Sequence, residues 1–141
     1  MSKLKENKEI SWRPGDASSY PMKAGTIIYK GSLVTIDESG YAVPADDAEN
    51  HKFVGVAQHK CDNNDGNDGD MIIKTIKRGI VGPICFSAPH IPFGQVDVGK
   101  KIYISDSATV SLKHQSNFEI LAGVLDTFIS KSEIYINLFD F

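Results

Sequence analysis

Between Gly25 and Thr75 one short β-strand signal follows another, and this series constrains the fold more than any other feature of the chain. The runs are Gly25–Pro44, broken at Gly31 and Gly40, then Phe53-Val54-Gly55-Val56-Ala57, then Met71-Ile72-Ile73-Lys74-Thr75. Ile, Val, Tyr and Thr dominate them, as suits a pleated, half-buried surface. Gly31, Gly40, Pro44 and the Asn/Asp/Gly tract at 62–70 supply the turns. From residue 22 onward the pattern predicts strands near 26–29, 32–36, 41–43, 53–60, 70–77, 79–86, 101–105, 108–112, 118–126 and 133–138. Helix is confined to one turn over Ala45–Asn50 and another over Gln95–Gly99, closed by Gly99. Pro83, Pro89 and Pro92, with Gly82 and Gly94, predict an irregular loop over 82–94. The fold class is therefore mainly β: a small β-barrel or β-sandwich with short helical turns.

A weak internal repeat runs through these strands. Phe53–Ala57 followed by Met71–Lys74 is answered by Leu121–Leu125 followed by Ile134–Asn137, and Ile28-Tyr29 by Ile102-Tyr103. The second half lacks an acidic tract as long as the one at 62–70. Gly55 and Gly123 fall at matching places, and glycine inside a strand marks a bulge, a bend or a close backbone approach.

A chain of 141 residues is the size of one domain. We divide it into an N-terminal arm, 1–20, and a single β domain, 21–141. The arm is charged, lacks periodicity, and holds the only tryptophan in Ser11-Trp12-Arg13-Pro14-Gly15-Asp16. Pro14 and Gly15 oppose a continuous helix, while a Trp beside an Arg is a common anchor of binding hot spots. The formal charge of −3 provides no basic field for a nucleic acid. No apolar run approaches the roughly 20 residues of a membrane helix, and Met1–Ile10 lacks the apolar segment of a signal peptide. Without a secretion signal, Cys61 and Cys85 are expected as thiols, Cys85 in the core and Cys61 partly exposed at a strand end.

The residues give catalysis and cofactors little to rest on. The cluster Asp62–Asp70 resembles a calcium loop, but its register fails: counted from Asp65 the fifth place is Gly69 and the twelfth Ile76. It reads as a solvated turn. His51, His59, His90 and His114 form no short ligand spacing, so no metal site is expected. Nucleophile-elbow, phosphate-loop and dinucleotide motifs are missing from the sequence, and the expectation is a binding protein without cofactor, not an enzyme. Lys74, Lys77 and Arg78 read as a solvated strand edge. At the other end, Ile134, Ile136 and Leu138 alternate on one face before Phe139 and Phe141, which should pack into the core or against a neighbouring subunit.

The stretch Ile28-Tyr29-Lys30-Gly31-Ser32-Leu33-Val34, the turn Gly40-Tyr41-Ala42-Val43-Pro44, the strand Phe53–Ala57 and the acidic Gly-rich hairpin before the next strand resemble the capsid cement, or head decoration, proteins of tailed bacteriophages. The resemblance covers roughly residues 22 to 138. It implies a β-rich protein that attaches to the outer surface of the expanded phage head, after synthesis in the host cytoplasm, and reinforces it, commonly as a homotrimer. The partner implied is the major capsid protein. Trp12, Arg13 and Tyr20 are then the candidate capsid contacts, and Phe139 and Phe141 the candidate subunit contacts. The alternative role is a β-barrel module of a phage tail, baseplate or head fibre, favoured if aromatic residues line a groove.

Overall fold

The structure is a computed structural model that describes residues 17–86, 94–112, 117–130 and 133–138, with the side chains of Cys85 and Phe86 left aside. It is mainly β. Among the described residues twelve strands run in order: β1 Ala17–Pro21, β2 Thr26–Ile28, β3 Leu33–Ile36, β4 Ala42–Pro44, β5 Lys52–Ala57, β6 Cys61–Asn63, β7 Ile72–Ile76, β8 Gly79–Phe86, β9 Lys101–Ile104, β10 Thr109–Ser111, β11 Leu121–Ser130 and β12 Glu133–Leu138. A 3₁₀ turn, Gln95–Asp97, sits where a helical turn was expected. The turn expected over Ala45–Asn50 is not helical: Pro44 ends β4, and the chain closes only at a turn from Ala48 to His51.

Two boundaries move. Residues 17–20, assigned to the arm, form β1, because an antiparallel ladder to β7 runs from Ala17–Ile76 to Pro21–Ile72. Leu and Val are absent from this Ala-Ser-Ser-Tyr-Pro strand; its partner strand, not its own propensity, makes it β. The strand expected at 79–86 is observed as β8, so the irregular loop expected from residue 82 does not begin there; β8 continues through Pro83 to Phe86 with a register shift against β12 between Ile134 and Ile136.

The strands form two copies of one arrangement. The first sheet has the order β1-β7-β5-β3-β4, and the second set β8-β12-β11-β9-β10. The register repeats with the order. Leu33, Val34 and Thr35 face Val56, Gly55 and Phe53, while Lys101, Ile102 and Tyr103 face Val124, Gly123 and Leu121, every number rising by 68. The hairpins follow suit, Thr35–Val43 and Ile36–Ala42 matching Tyr103–Ser111 and Ile104–Val110. Even the turn leading into each copy is the same: Gly31 N–H bonds to Ala57 O as Gly99 N–H bonds to Leu125 O, both glycines having positive φ.

The second set closes on itself, β10 pairing in parallel with β8 through Thr109–Cys85 and Val110–Phe86. The first stays an open sheet whose edge strands meet only at one parallel bridge, Met22–Ala42, the counterpart of Phe86–Val110. The whole chain is thus neither one barrel nor one sandwich but a closed five-stranded ring beside its nearly closed duplicate. The sequence repeat at Phe53–Ala57 and Leu121–Leu125 holds in register. The other two correspondences do not. Val56–Ile76 matches Val124–Asn137, which sets Ile73 against Ile134, and the counterpart of Ile102 is Val34, not Ile28. The first copy carries seven more residues between these strands: 57 to 75 in one spans what 125 to 136 spans in the other. They accommodate β6 and the acidic tract, and β6 pairs with β2 in a separate small ribbon.

Both glycines do what their position suggested. Val54 and Ala122 are the extra residues of two matching bulges, each just before its glycine. A Cβ at Gly55 would collide with the Ile76 carbonyl oxygen, and one at Gly123 with that of Asn137, so the paired backbones approach more closely than any other residue permits. In the first copy the buried Thr75 hydroxyl donates to the carbonyl of the bulged Val54 at 2.8 Å, satisfying a group the ladder leaves out.

Equivalent positions fill equivalent cores. Val34, Ala42, Val54, Ala57 and Ile73 are buried in the first copy, and Ile102, Val110, Ala122, Leu125 and Ile134 in the second. Val54 to Ala122 loses volume while Ala57 to Leu125 gains it, which keeps the interior filled. The second core continues across the junction into the first copy through Leu33, Ala45 and Val56, while Val34, Ala42, Val54, Ala57 and Ile73 belong to a separate core with Met22 and Ile28. Leu33 N–H also donates to Ser107 O across the junction at 2.8 Å.

Candidate functional site

The two copies leave a cleft of about 460 Å³ between them. His51, Lys52 and Phe53 enter it from the first copy, and Glu119, Ile120 and Leu121, the same segment by register, from the second. Tyr20, Ile36, Lys77 and Phe118 complete the wall. The shape is held from outside by Asp47, whose Oδ2 and Oδ1 accept the backbone N–H groups of Asn117 and Phe118 at 2.7 and 3.0 Å. This one carboxylate ties the first copy to the second and sets Phe118 at the rim, half exposed. His51 is oriented by a 3.1 Å hydrogen bond between its Nδ1 and the buried Thr35 hydroxyl. The Lys77 ammonium lies 5.9 Å from the centre of the Tyr20 ring, within cation–π range. Aromatic faces and polar groups of both signs thus converge in a site suited to binding.

Of the expected contact residues, Tyr20 lines this cleft; Trp12, Arg13, Phe139 and Phe141 lie outside the described residues. Sequence reasoning missed Asp47 and Phe118, because nothing local signals a bond between residues 70 and 71 positions apart. Of Lys74, Lys77 and Arg78, Lys74 does not mark a sheet edge, since it lies in β7, which is flanked by β1 and β5, while Lys77 and Arg78 follow that strand.

The acidic tract is occupied with its own backbone. Asp62 accepts from Asn64 N–H, Asp70 from Asn67 N–H, and Asp68 from Ala24 N–H, at 2.8–2.9 Å. At its base lies Asn63, 1% exposed, whose Nδ2 donates to the carbonyls of Met22, Lys23 and Asn67. Asn63→Ala should lower stability by about 1–3 kcal/mol, because it removes these hydrogen bonds from a buried setting, although each carbonyl keeps a second donor, Gly69 N–H, the Thr26 hydroxyl or Asp70 N–H. A urea midpoint unchanged from the parent would show that the tract is held otherwise. Among the described residues, no group of three His, Cys, Asp or Glu side chains is placed to hold a metal ion.

Cys61 corrects its expectation. It is buried rather than partly exposed, since β6 turns it inward against Ile72, and its thiol donates to the Ile72 carbonyl. Burial, with the nearby Asp62 charge, pushes the thiol pKa up, so it is a poor nucleophile.

The charges that titrate away from their ordinary values are structural. Asp37 accepts from Lys23 Nζ at 2.8 Å, from the Ser39 hydroxyl and N–H, and from Tyr41 N–H, locking the β3–β4 turn. Burial opposes its ionisation, but the hydrogen bonds and the Lys23 charge outweigh that and hold the carboxyl far below the usual range. Asp97 is lowered too, first by the hydrogen bond from Lys100 and then by Gly94 N–H. A depressed folded-state pKa stabilises above the unfolded value, about 3.9 for Asp, and this contribution is lost as pH falls towards the folded value. Stability should therefore decline below about pH 4, and Asp37→Asn should flatten that decline while lowering stability at pH 7. Thermal unfolding of both proteins from pH 7 to pH 3 checks this; parallel curves would contradict it.

Compared with protein-family models, with curated proteins and with solved structures, the chain matches none of them.

Proposed function

We propose that the protein is a phage head decoration protein that binds the outer surface of the expanded capsid and stabilises it, acting by binding and not by catalysis. The observation that carries this reading is a rigid, duplicated β framework holding large apolar side chains outward. Tyr29, Ile72, Ile80 and Ile129 are each more than half exposed on or beside strands. Side chains fixed by a framework lose little entropy on contact, and a decoration protein needs such a surface against the major capsid protein. The homotrimer belongs to the same proposal: threefold placement lets one rigid unit reach several capsomers.

A second reading has its own observation. The cleft places Tyr20, Phe53 and Phe118 together, the aromatic groove that a tail, baseplate or fibre module would use on a carbohydrate. Glycan-array binding lost in Phe118→Ala, without attachment to heads, would favour it.

The test of the main reading is co-sedimentation with empty expanded heads. Deleting residues 1–16 should leave the β domain folded, because both cores are built from residue 22 onward. The deletion should weaken attachment at least tenfold, about 1.4 kcal/mol, if Trp12 and Arg13 anchor it. Unchanged sedimentation of the deleted chain would move the contact onto the exposed strand residues.

A further inference from the structure

We propose that the acidic tract binds a hard divalent cation, calcium in preference to magnesium, between the Asn63 amide oxygen and the Asp70 carboxylate. The inference starts from an oxygen with nothing to accept. Asn63 is 1% exposed, and its Oδ1 is buried with no hydrogen-bond donor among the described residues. Exchanging the two ends of the amide gives no relief, because Nδ2 faces the carbonyls of Met22, Lys23 and Asn67 at 3.0–3.3 Å, and an oxygen in its place would meet three others. The orientation is therefore fixed. A buried amide oxygen left without a partner is costly, so a group of positive character belongs beside it.

Gly66 shows where that oxygen points. A Cβ on this glycine would stand 2.1 Å from Asn63 Oδ1 and 3.2 Å from Asp70 Oδ2, so the two oxygens converge over one face of Gly66 that a side chain would fill. Calcium binds oxygens at about 2.3–2.6 Å, and two oxygens so placed are close enough to share one ion. Asp70 Oδ2 accepts Asn67 N–H at 2.8 Å, which holds the carboxylate in place and leaves lone pairs for a further contact. Charge selects the same class of ligand. Asp62, Asp65, Asp68 and Asp70 fall between Lys60 and Lys74 with no basic residue among them, and such a field concentrates cations. A third acidic ligand is not required, because the amide oxygen is a calcium ligand in its own right. An exposed, irregular loop suits calcium, whereas magnesium demands near-ideal octahedral geometry. With few protein ligands, the dissociation constant belongs at the weak end for calcium sites, about 10⁻⁴–10⁻³ M. The site is independent of the capsid reading.

The test adds CaCl2 to the full chain, freed of metal by a chelator, at constant ionic strength. The nuclear magnetic resonances of the Asn63 side-chain amide and the Gly66 N–H should shift and level off by about 10 mM. At that concentration the thermal midpoint should rise by about 3–6 °C, and equal magnesium should raise it less. Asp70→Asn keeps an acceptor for Asn67 N–H and should weaken calcium binding at least tenfold. Should that variant fail to fold, the titration of the parent decides. Asn63 and Gly66 resonances unmoved by calcium would overturn the proposal and leave water as the partner of the amide oxygen. A midpoint raised equally by calcium, magnesium and sodium chloride of matched ionic strength would overturn it by reducing the effect to screening. Unchanged calcium affinity in folded Asp70→Asn would overturn it as well, by removing the carboxylate from the site.

Discussion

Gly55→Ala and Gly123→Ala should each lower the stability of the protein by on the order of 3–5 kcal/mol, a large share of the roughly 5–15 kcal/mol available to a domain. The reason is steric and the same in both copies. Each glycine lies against a backbone carbonyl of the neighbouring strand, Ile76 or Asn137, where a Cβ has no space and the obstacle is not a side chain that can swing away. Gly55 adds a φ of 125°, which an L residue adopts only under strain. Gly25 separates the two effects: its φ is 75°, but nothing lies within 4 Å of the added atom. Gly25→Ala should therefore cost only about 1–2 kcal/mol. Urea unfolding of the three variants gives the comparison. Equal losses at Gly25 and Gly55, both at positive φ, together with no loss at Gly123, where φ is not positive, would mean that the close strand approach contributes nothing.

This pair of glycines also shows how far the sequence could be read. The Phe53–Ala57 and Leu121–Leu125 repeat was visible because the bulge demands a glycine and the flanking strands demand apolar residues. The remaining correspondence was not, since beyond the bulges the copies keep the backbone pattern and not the side chains: Val34 stands for Ile102, and Ala57 for Leu125. Seven extra residues in the acidic tract then displaced the apparent match of β7 with β12. β1 and β6 escaped for a related reason. Ala-Ser-Ser-Tyr-Pro and Cys-Asp-Asn carry no strand signal, and each is made extended by the partner it pairs with. The cleft was the least legible part, because its frame depends on Asp47 reaching the backbone of Asn117 and Phe118 from the other copy. Tyr20, the expected contact residue that falls among the described residues, lies on its wall.

On the proposed decoration role, the second large effect concerns which shell the protein would accept. If attachment is trivalent, a rigid trimer fits only one capsomer spacing, and expansion changes that spacing. Losing one of three linked contacts forfeits an effective-concentration gain on the order of 10²–10⁴ in apparent affinity. Binding only to the expanded shell would stabilise that shell by mass action, by about 2.7 kcal/mol per site at a free concentration 100 times the dissociation constant. Salt should alter this selectivity only moderately, because the formal charge is −3 and the exposed strand residues include the apolar Ile72, Ile80 and Ile129. The most direct measurement is occupancy by electron microscopy on proheads and expanded heads incubated side by side with the same protein concentration. The account predicts saturation of threefold positions on expanded heads and sparse binding to proheads. Equal occupancy of the two, or binding to neither, would contradict it.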